Sequence, residues 1–234
     1  MSEIARRLPE VRARIEAACR RASRDPASVT LVAVSKTFPA EAVREAHALG
    51  LREFGENRAQ SLRDKAKALA DLDDLVWHFI GPIQTNKVRY LVGTAALVHA
   101  VDREEVARAL SERAEREGAE KVRCLVAVHL GGEATKSGVE PDDAEALLGH
   151  LADMPGLDVR GLFTIPPPAD DPEDTRPHFA ALRTLAETLR ERTSLPLPEL
   201  SMGMSHDLEV AIEEGATIVR VGTALFGPRE VETT

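Results

Sequence analysis

The chain has 234 residues, 43% hydrophobic and only 3% aromatic, with a formal charge of -9. Acids and bases are interspersed and stacking side chains are scarce, which argues against nonspecific nucleic-acid binding. The opening stretch is charged throughout and no apolar run approaches the ~18 residues of a membrane span, so neither a signal peptide nor a bilayer helix is read.

An amphipathic helix is predicted from Ile4 to Ala22, with Ile4, Leu8, Val11, Ile15 and Ala18 spaced for one face. Eight strands then alternate with helices. The strands are Thr30–Ser35, Arg52–Gly55, Val76–Gly81, Leu97–Val101, Val122–Leu130, Val159–Ile165, Glu199–Met202 and Thr217–Gly222. Helices are predicted near Ala40–Leu49, Arg58–Leu69, Gln84–Leu91, Glu104–Glu117, Asp142–Leu151, Thr175–Arg192 and Asp207–Glu214. Runs such as Leu125-Val126-Ala127-Val128 are apolar on both faces, as parallel strands covered by helices must be. This alternation within this length favours a closed (β/α)8 barrel over an open doubly wound sheet. The chain is read as one domain over residues 1–234, with an N-terminal helix in 1–25 and the barrel in 30–227. No GxGxxG follows the first strand, so a dinucleotide site is unsupported. Cys19 and Cys124 lack metal-ligand spacing and read as buried thiols of a cytoplasmic protein. The Pro/Asp-rich stretch 166–174 reads as a solvated connector.

In such a barrel the C-terminal strand ends converge on one mouth. They carry Lys36 after strand one, Glu56 and Asn57 after strand two, and Gln84, Asn86 and Lys87 after strand three. Ser201 and Ser205 close strand seven, and Arg220, Gly222 and Thr223 close strand eight. A lysine at a strand tip either snorkels into water or, when desolvated, supplies the neutral amine that a Schiff base requires. Gly222 and Thr223 suit an anion site, although Gly222 also suits a tight turn and Ser205 also suits a cap for the helix starting near Asp207. Arg220 keeps its charge inside an apolar strand and needs a firm partner, from the protein or from a ligand. His78, His99 and His129 fall on strands three to five without an HxH pair or an obvious coordinating carboxylate. They read as core or supporting histidines in preference to metal ligands.

Six ordered motifs carry a resemblance. They are Ala33-Val34-Ser35-Lys36-Thr37, Phe54-Gly55-Glu56-Asn57, Trp77 through Lys87 (WHFIGPIQTNK), Lys136-Ser137-Gly138, Leu200 through Ser205 (LSMGMS) and Val219 through Gly227 (VRVGTALFG). From Leu31 to Gly227 the chain resembles the pyridoxal phosphate homeostasis protein family. The resemblance implies a fold-type III barrel like the N-terminal domain of alanine racemase, lacking that enzyme's C-terminal β domain. It implies pyridoxal 5′-phosphate as cofactor, joined to Lys36 as an internal aldimine, with phosphate against Ser205, Gly222 and Thr223. Arg220 would face the pyridine nitrogen and Asn57 would lie near the ring. A permanent cation there disfavours protonation of the ring and weakens it as an electron sink.

The implied role is binding and handling of the cofactor by a cytoplasmic monomer, with delivery to apoenzymes, and without established catalysis. Two alternatives stand beside it. One is a weak pyridoxal-phosphate-dependent amino-acid racemase or transaminase, for which Tyr90 is poorly placed as the second base. The other is a cofactor-free Schiff-base aldolase. Lys87 and Lys136 are open as a second docking site. The sequence departs from the family pattern at Arg58, Ser61 and Phe163, none of them in the lysine or phosphate motifs.

Overall fold

The computed structural model describes residues 2–131 and 138–228. Eight parallel strands close into a barrel in sequence order. They are β1 (Thr30–Val34), β2 (Glu53–Glu56), β3 (Val76–Phe79), β4 (Leu97–Val101), β5 (Val122–Ala127), β6 (Leu157–Phe163), β7 (Glu199–Met204) and β8 (Ile218–Val221). Closure is direct: Thr30 through Ala33 of β1 lie opposite Ile218 through Val221 of β8. No sheet edge is left to protect.

Helices α1 (Glu3–Arg21), α2 (Ala40–Ala48), α3 (Ala59–Ala68), α4 (Glu104–Glu117), α5 (Ala144–Ala152), α6 (Arg176–Thr193), α7 (Leu208–Glu213) and α8 (Thr223–Phe226) complete the fold. The Ser2 side chain caps α1 by accepting from Ala5 N–H at 3.2 Å, and the predicted face of Ile4, Leu8, Val11, Ile15 and Ala18 is buried. Helix α4 stops at Gly118, whose φ of +60° is the left-handed cap that glycine adopts without strain.

Two apolar clusters follow from the topology. The large one joins the outward strand faces to the helices. The small one fills the barrel lumen with Val32, Leu97, Ala100, Leu125, Ala127, Phe163 and Ile218. Side chains thus pack the lumen, as in other closed eight-stranded α/β barrels.

The differences from the predicted elements are local. Gln84–Leu91 is not an α-helix but a 3-10 turn over Thr85–Tyr90. Strand five ends at Ala127, beyond which Val128 forms an isolated bridge to Val139. Strand eight, predicted over Thr217–Gly222, is one residue shorter at each end, and it is followed by α8, a helix too short for hydrophobic periodicity to register. Lys136 and Ser137 lie outside the described residues.

Candidate functional site

Lys36 follows β1 and is half-buried at the barrel mouth. Its backbone is held from the residue before it. Ser35 is fully buried; its hydroxyl donates to Glu56 Oε1 at 2.7 Å, and its carbonyl accepts from Lys65 Nζ at 2.7 Å. Lys65, from α3, also pairs directly with Glu56. Glu56 therefore serves the helix side of the sheet and not the cavity, unlike its neighbour Asn57. Thr37, immediately after the lysine, has φ of +73°. A β-branched residue in the left-handed region costs on the order of 1–2 kcal/mol, and the bend is closed by the Phe38 N–H donating to the Ser35 carbonyl at 3.0 Å.

The other wall comes from the ends of β7 and β8. Asp207 Oδ1 accepts from Met204 N–H at 2.6 Å and closes the turn after β7. Gly203, at φ +89°, has no room for a side chain, since a Cβ would meet that of Ala211 at 2.5 Å. Ser205 does not cap α7. Its hydroxyl instead accepts from Ala224 N–H at 3.1 Å, bridging the β7 and β8 loops. Arg14 reaches over from α1 to donate to the Ser205 carbonyl at 2.9 Å, while making a bidentate pair with Glu209 at 2.5 and 2.7 Å. Gly222 sits at φ -109°, where a Cβ would meet the Val34 carbonyl oxygen at 3.5 Å. A tight turn therefore does not require this glycine; its missing side chain leaves room at the cavity wall.

Arg220 forms the floor. It is 3% exposed, donates through Nη1 to Ser201 Oγ at 2.8 Å and through Nη2 to the Thr164 carbonyl at 3.0 Å, and lies 4.6 Å over the Phe163 ring. Among the described residues no carboxylate is in ion-pair contact with it. Burial pulls its pKa down to about 10, with Asp207 pulling back the other way, so it remains a cation at neutral pH.

These elements enclose a cavity of about 380 Å³ that Lys36, Asn57, Ser205, Arg220, Gly222 and Thr223 all line. Ile80, Gly81, Pro82, Ile165 and Met204 add an apolar rim. Gly81 is obligatory there: a Cβ would come within 2.1 Å of the Asn57 carbonyl oxygen.

The family model described as "Alanine racemase, N-terminal domain" matches residues 7–230. Two relatives called pyridoxal phosphate homeostasis protein cover nearly the whole chain. The one from Pseudomonas aeruginosa is 50% identical over 98% of this chain and 97% of its own length, and the one from Aquifex aeolicus is 49% identical over 96% and 97%. The chain belongs to the pyridoxal phosphate homeostasis protein family. Among solved structures, PipY of Synechococcus elongatus with PLP bound superposes with a TM-score of 0.84 at 41% identity, covering 96% of this chain and 100% of that one. Alanine racemase of Clostridium difficile shares the barrel, with a TM-score of 0.71 at 15% identity over 88% of this chain and 54% of its own, a likeness of fold alone.

Within this family fold, the family-pattern departures Arg58 and Phe163 fall to the side of the cavity or beneath it. Arg58 lines a neighbouring cavity of about 240 Å³, together with Gln60, Gln84 and Lys87, and that cavity shares Asn57 and Pro82 with the first. Phe163 supports Arg220 from below. Tyr90 lines neither cavity; its hydroxyl accepts from Arg89 at 2.8 Å. Sequence reading missed Ile80, Pro82 and Ile165 as cavity residues. For Ile165 a signal existed: a large apolar residue, 44% exposed, placed between strand six and three prolines. The histidines divide. His78 and His99 bond to each other at 2.8 Å in the lumen, while buried His129 stands apart with no partner for Nε2 among the described residues. Among those residues no group of three or more His, Cys, Asp or Glu could hold a metal ion, and no helix is long and apolar enough to cross a membrane.

Proposed function

We propose that this protein binds pyridoxal 5′-phosphate reversibly in the cavity at the barrel mouth and serves its homeostasis, handing it to apoenzymes. The observation that carries this reading is the convergence of Lys36, Asn57, Arg220, Ser205, Gly222 and Thr223, drawn from four different strand ends, on one cavity. The donor set matches the group's chemistry from end to end. An amine stands at one side for a carbonyl, and hydroxyls stand at the other for phosphoryl oxygens. On the floor lies a buried guanidinium whose described hydrogen-bond partners are neutral, and apolar walls suit a ring. A volume of about 380 Å³ lies in the range of small-molecule sites.

When bound, the cofactor supplies an aldehyde that condenses with amines and a ring that withdraws electrons from them. The chain's own residues do the holding. Lys36 is the attachment point, and its approach is set by the Ser35–Glu56–Lys65 cluster behind it. Ser205 and Thr223, which line the cavity, would hold the phosphate, Arg220 would meet the ring nitrogen, and Ile80 and Ile165 supply apolar lining that would shield the ring from water. Because Arg220 keeps its proton, it would donate a hydrogen bond to that nitrogen and would not transfer a proton to it. Such a site retains the cofactor while activating it weakly. We further propose a monomer in a reducing cytoplasm, where the unpaired buried thiols of Cys19 and Cys124 persist.

The test is the absorption spectrum of the purified protein, followed by borohydride reduction and peptide mapping. The reading expects a visible band, an adduct mapped to Lys36 and loss of both in Lys36→Ala; an adduct elsewhere, or none, overturns it. The racemase reading keeps one supporting observation. His206, exposed on the cavity rim, is the other titratable side chain lining it besides Lys36 and Arg220. Deuterium exchange into amino acids above the rate of free cofactor, lost in His206→Ala, would favour it.

A further inference from the structure

Five polar side chains stand in the lumen beside its apolar cluster. Glu53 of β2, His78 of β3, His99 of β4, Ser201 of β7 and Arg220 of β8 make one continuous hydrogen-bonded chain across the barrel. The links are Arg220 Nη1 to Ser201 Oγ at 2.8 Å, Ser201 Oγ to His99 Nδ1 at 2.9 Å, His99 Nε2 to His78 Nδ1 at 2.8 Å and His78 Nε2 to Glu53 Oε2 at 2.7 Å. His99 and Ser201 have no solvent exposure, and His78 has 4%. Glu53 opens β2 at the opposite, N-terminal end of the barrel, with a third of its side chain in solvent.

The chemistry of the ends fixes the direction of every link. A guanidinium only donates, so Ser201 accepts from Arg220 and its own O–H is left to donate to His99 Nδ1. A neutral His99 then carries its proton on Nε2 and donates to His78 Nδ1. That leaves the His78 Nε2–H for a carboxylate that only accepts. Reversing the histidine link would make Ser201 accept twice, strand its hydroxyl proton, and require His78 to be an imidazolium to satisfy Glu53. His99 is held well below the usual imidazole range by burial, then by His78 and Arg220, which fits the neutral form.

We infer that Ser201, His99, His78 and Glu53 are positioning residues for Arg220, forming a directed hydrogen-bond wire that aims its guanidinium at the cavity and joins it to a carboxylate at the far end of the barrel. The inference rests on the proposed binding of pyridoxal 5′-phosphate, since Arg220 acts on the ring. The lumen alone did not need these groups. Apolar residues pack around them, and a buried polar chain is favourable only when every member is satisfied. The wire fixes which guanidinium N–H groups are occupied by protein, and so which remain for a ligand. It also brings a negative charge into register with the cation without neutralising it by contact.

The test uses the holoprotein and reads the cofactor's visible band and its retention on dilution. Ser201→Ala and His99→Phe are each expected to move the band and to weaken retention about tenfold, the scale of a lost hydrogen bond to a charged group. The double variant is expected to do no more than either single one, because both cut the same wire. Glu53→Gln, which keeps an acceptor for His78 but removes the charge, is expected to shift the band in the same direction by less. Unchanged band position and retention within twofold in Ser201→Ala, with the Lys36 adduct intact, would overturn the inference. A wild-type protein without any band would instead overturn the binding reading, and this inference with it. If the variants fail to fold, nitrogen-15 NMR of the wild-type imidazoles decides: a proton on His99 Nε2 and none on Nδ1 supports the wire, and the opposite tautomer removes it.

Discussion

Strand β2 separates two buried polar clusters built on opposite principles. On its helix side, Ser35, Glu56 and Lys65 pair opposite charges in direct contact, with Lys65 and Glu56 side chains 11% and 1% exposed. On its lumen side, the cation Arg220 donates, among the described residues, to neutral partners and is linked to a carboxylate through three intervening residues, a hydroxyl and two imidazoles. The first arrangement satisfies itself and so can only hold the backbone at the end of β1. The second leaves a guanidinium whose charge is unspent at the cavity floor. A buried charge that a protein could have paired and did not is where a ligand is expected to complete the set.

The comparison breaks most visibly in stability. Lys65→Met leaves Glu56 buried without its cation, and the expected cost is about 3–5 kcal/mol, read as a lower urea midpoint at unchanged slope. Adding Glu56→Gln to that variant should recover much of the loss, since the cost belongs to the stranded charge. Arg220→Leu should behave oppositely. Removing a desolvated cation offsets the two hydrogen bonds lost, so the ligand-free protein should stay within about 2 kcal/mol of wild type. Its retention of pyridoxal phosphate should nevertheless fall more than about tenfold, the scale of a lost charge-assisted contact. Equal losses of stability in both variants would remove the distinction between the clusters.

A pH series sharpens the lumen side. His99 is buried and neutral, faced by His78 from β3, Ser201 from β7, Arg220 from β8 and the Phe163 ring edge from β6. Its folded pKa lies below its unfolded value, so the unfolded chain binds the proton first and stability falls as pH drops below about 6.5. The slope from this one group approaches about 1.4 kcal/mol per pH unit. In His99→Gln that slope should flatten between pH 6.5 and 5, as urea midpoints measured across the range would record.

The sequence made the barrel legible because parallel strands buried on both faces read as apolar runs and the covering helices repeat at a helical period. The mouth residues were legible for a related reason: the topology sends every strand end to one face, so Lys36, Asn57, Ser205, Arg220, Gly222 and Thr223 could be gathered by position together with Glu56, Gln84, Asn86, Lys87 and Ser201, and the family resemblance narrowed the set. Contacts across the barrel were not. His78 and His99 are 21 residues apart, and His99 and Ser201 are 102 apart. Strand alternation places each of them inward but says nothing of which inward residues touch, and three histidines on neighbouring strands looked alike although His129 does not join the chain. The same limit hid the Ser205 link to Ala224, where a hydroxyl before a helix suggested a local cap and bonded to the next loop instead.

The smallest expected effect lies outside both clusters, where α1 touches the site. Arg14 is about a third exposed, and its pair with Glu209 is therefore screened and modest, but it also holds the Ser205 carbonyl. Burial pushes the Glu209 carboxyl up, yet the hydrogen bond and charge of Arg14 outweigh it and leave the group below its ordinary value. A depressed carboxylate pKa contributes stability above the unfolded value and loses it as pH falls through the folded one, so the contact should weaken below about pH 4.3. Arg14→Ala should cost about 1 kcal/mol at neutral pH and less in acid. If Ser205 depends on that tether, the same variant should loosen phosphate binding by about the same factor, a few-fold, with the band position unmoved. A moved band would mean that α1 governs the ring end of the cavity as well, and the division between a self-satisfied scaffold and an open floor would have to be redrawn to include it.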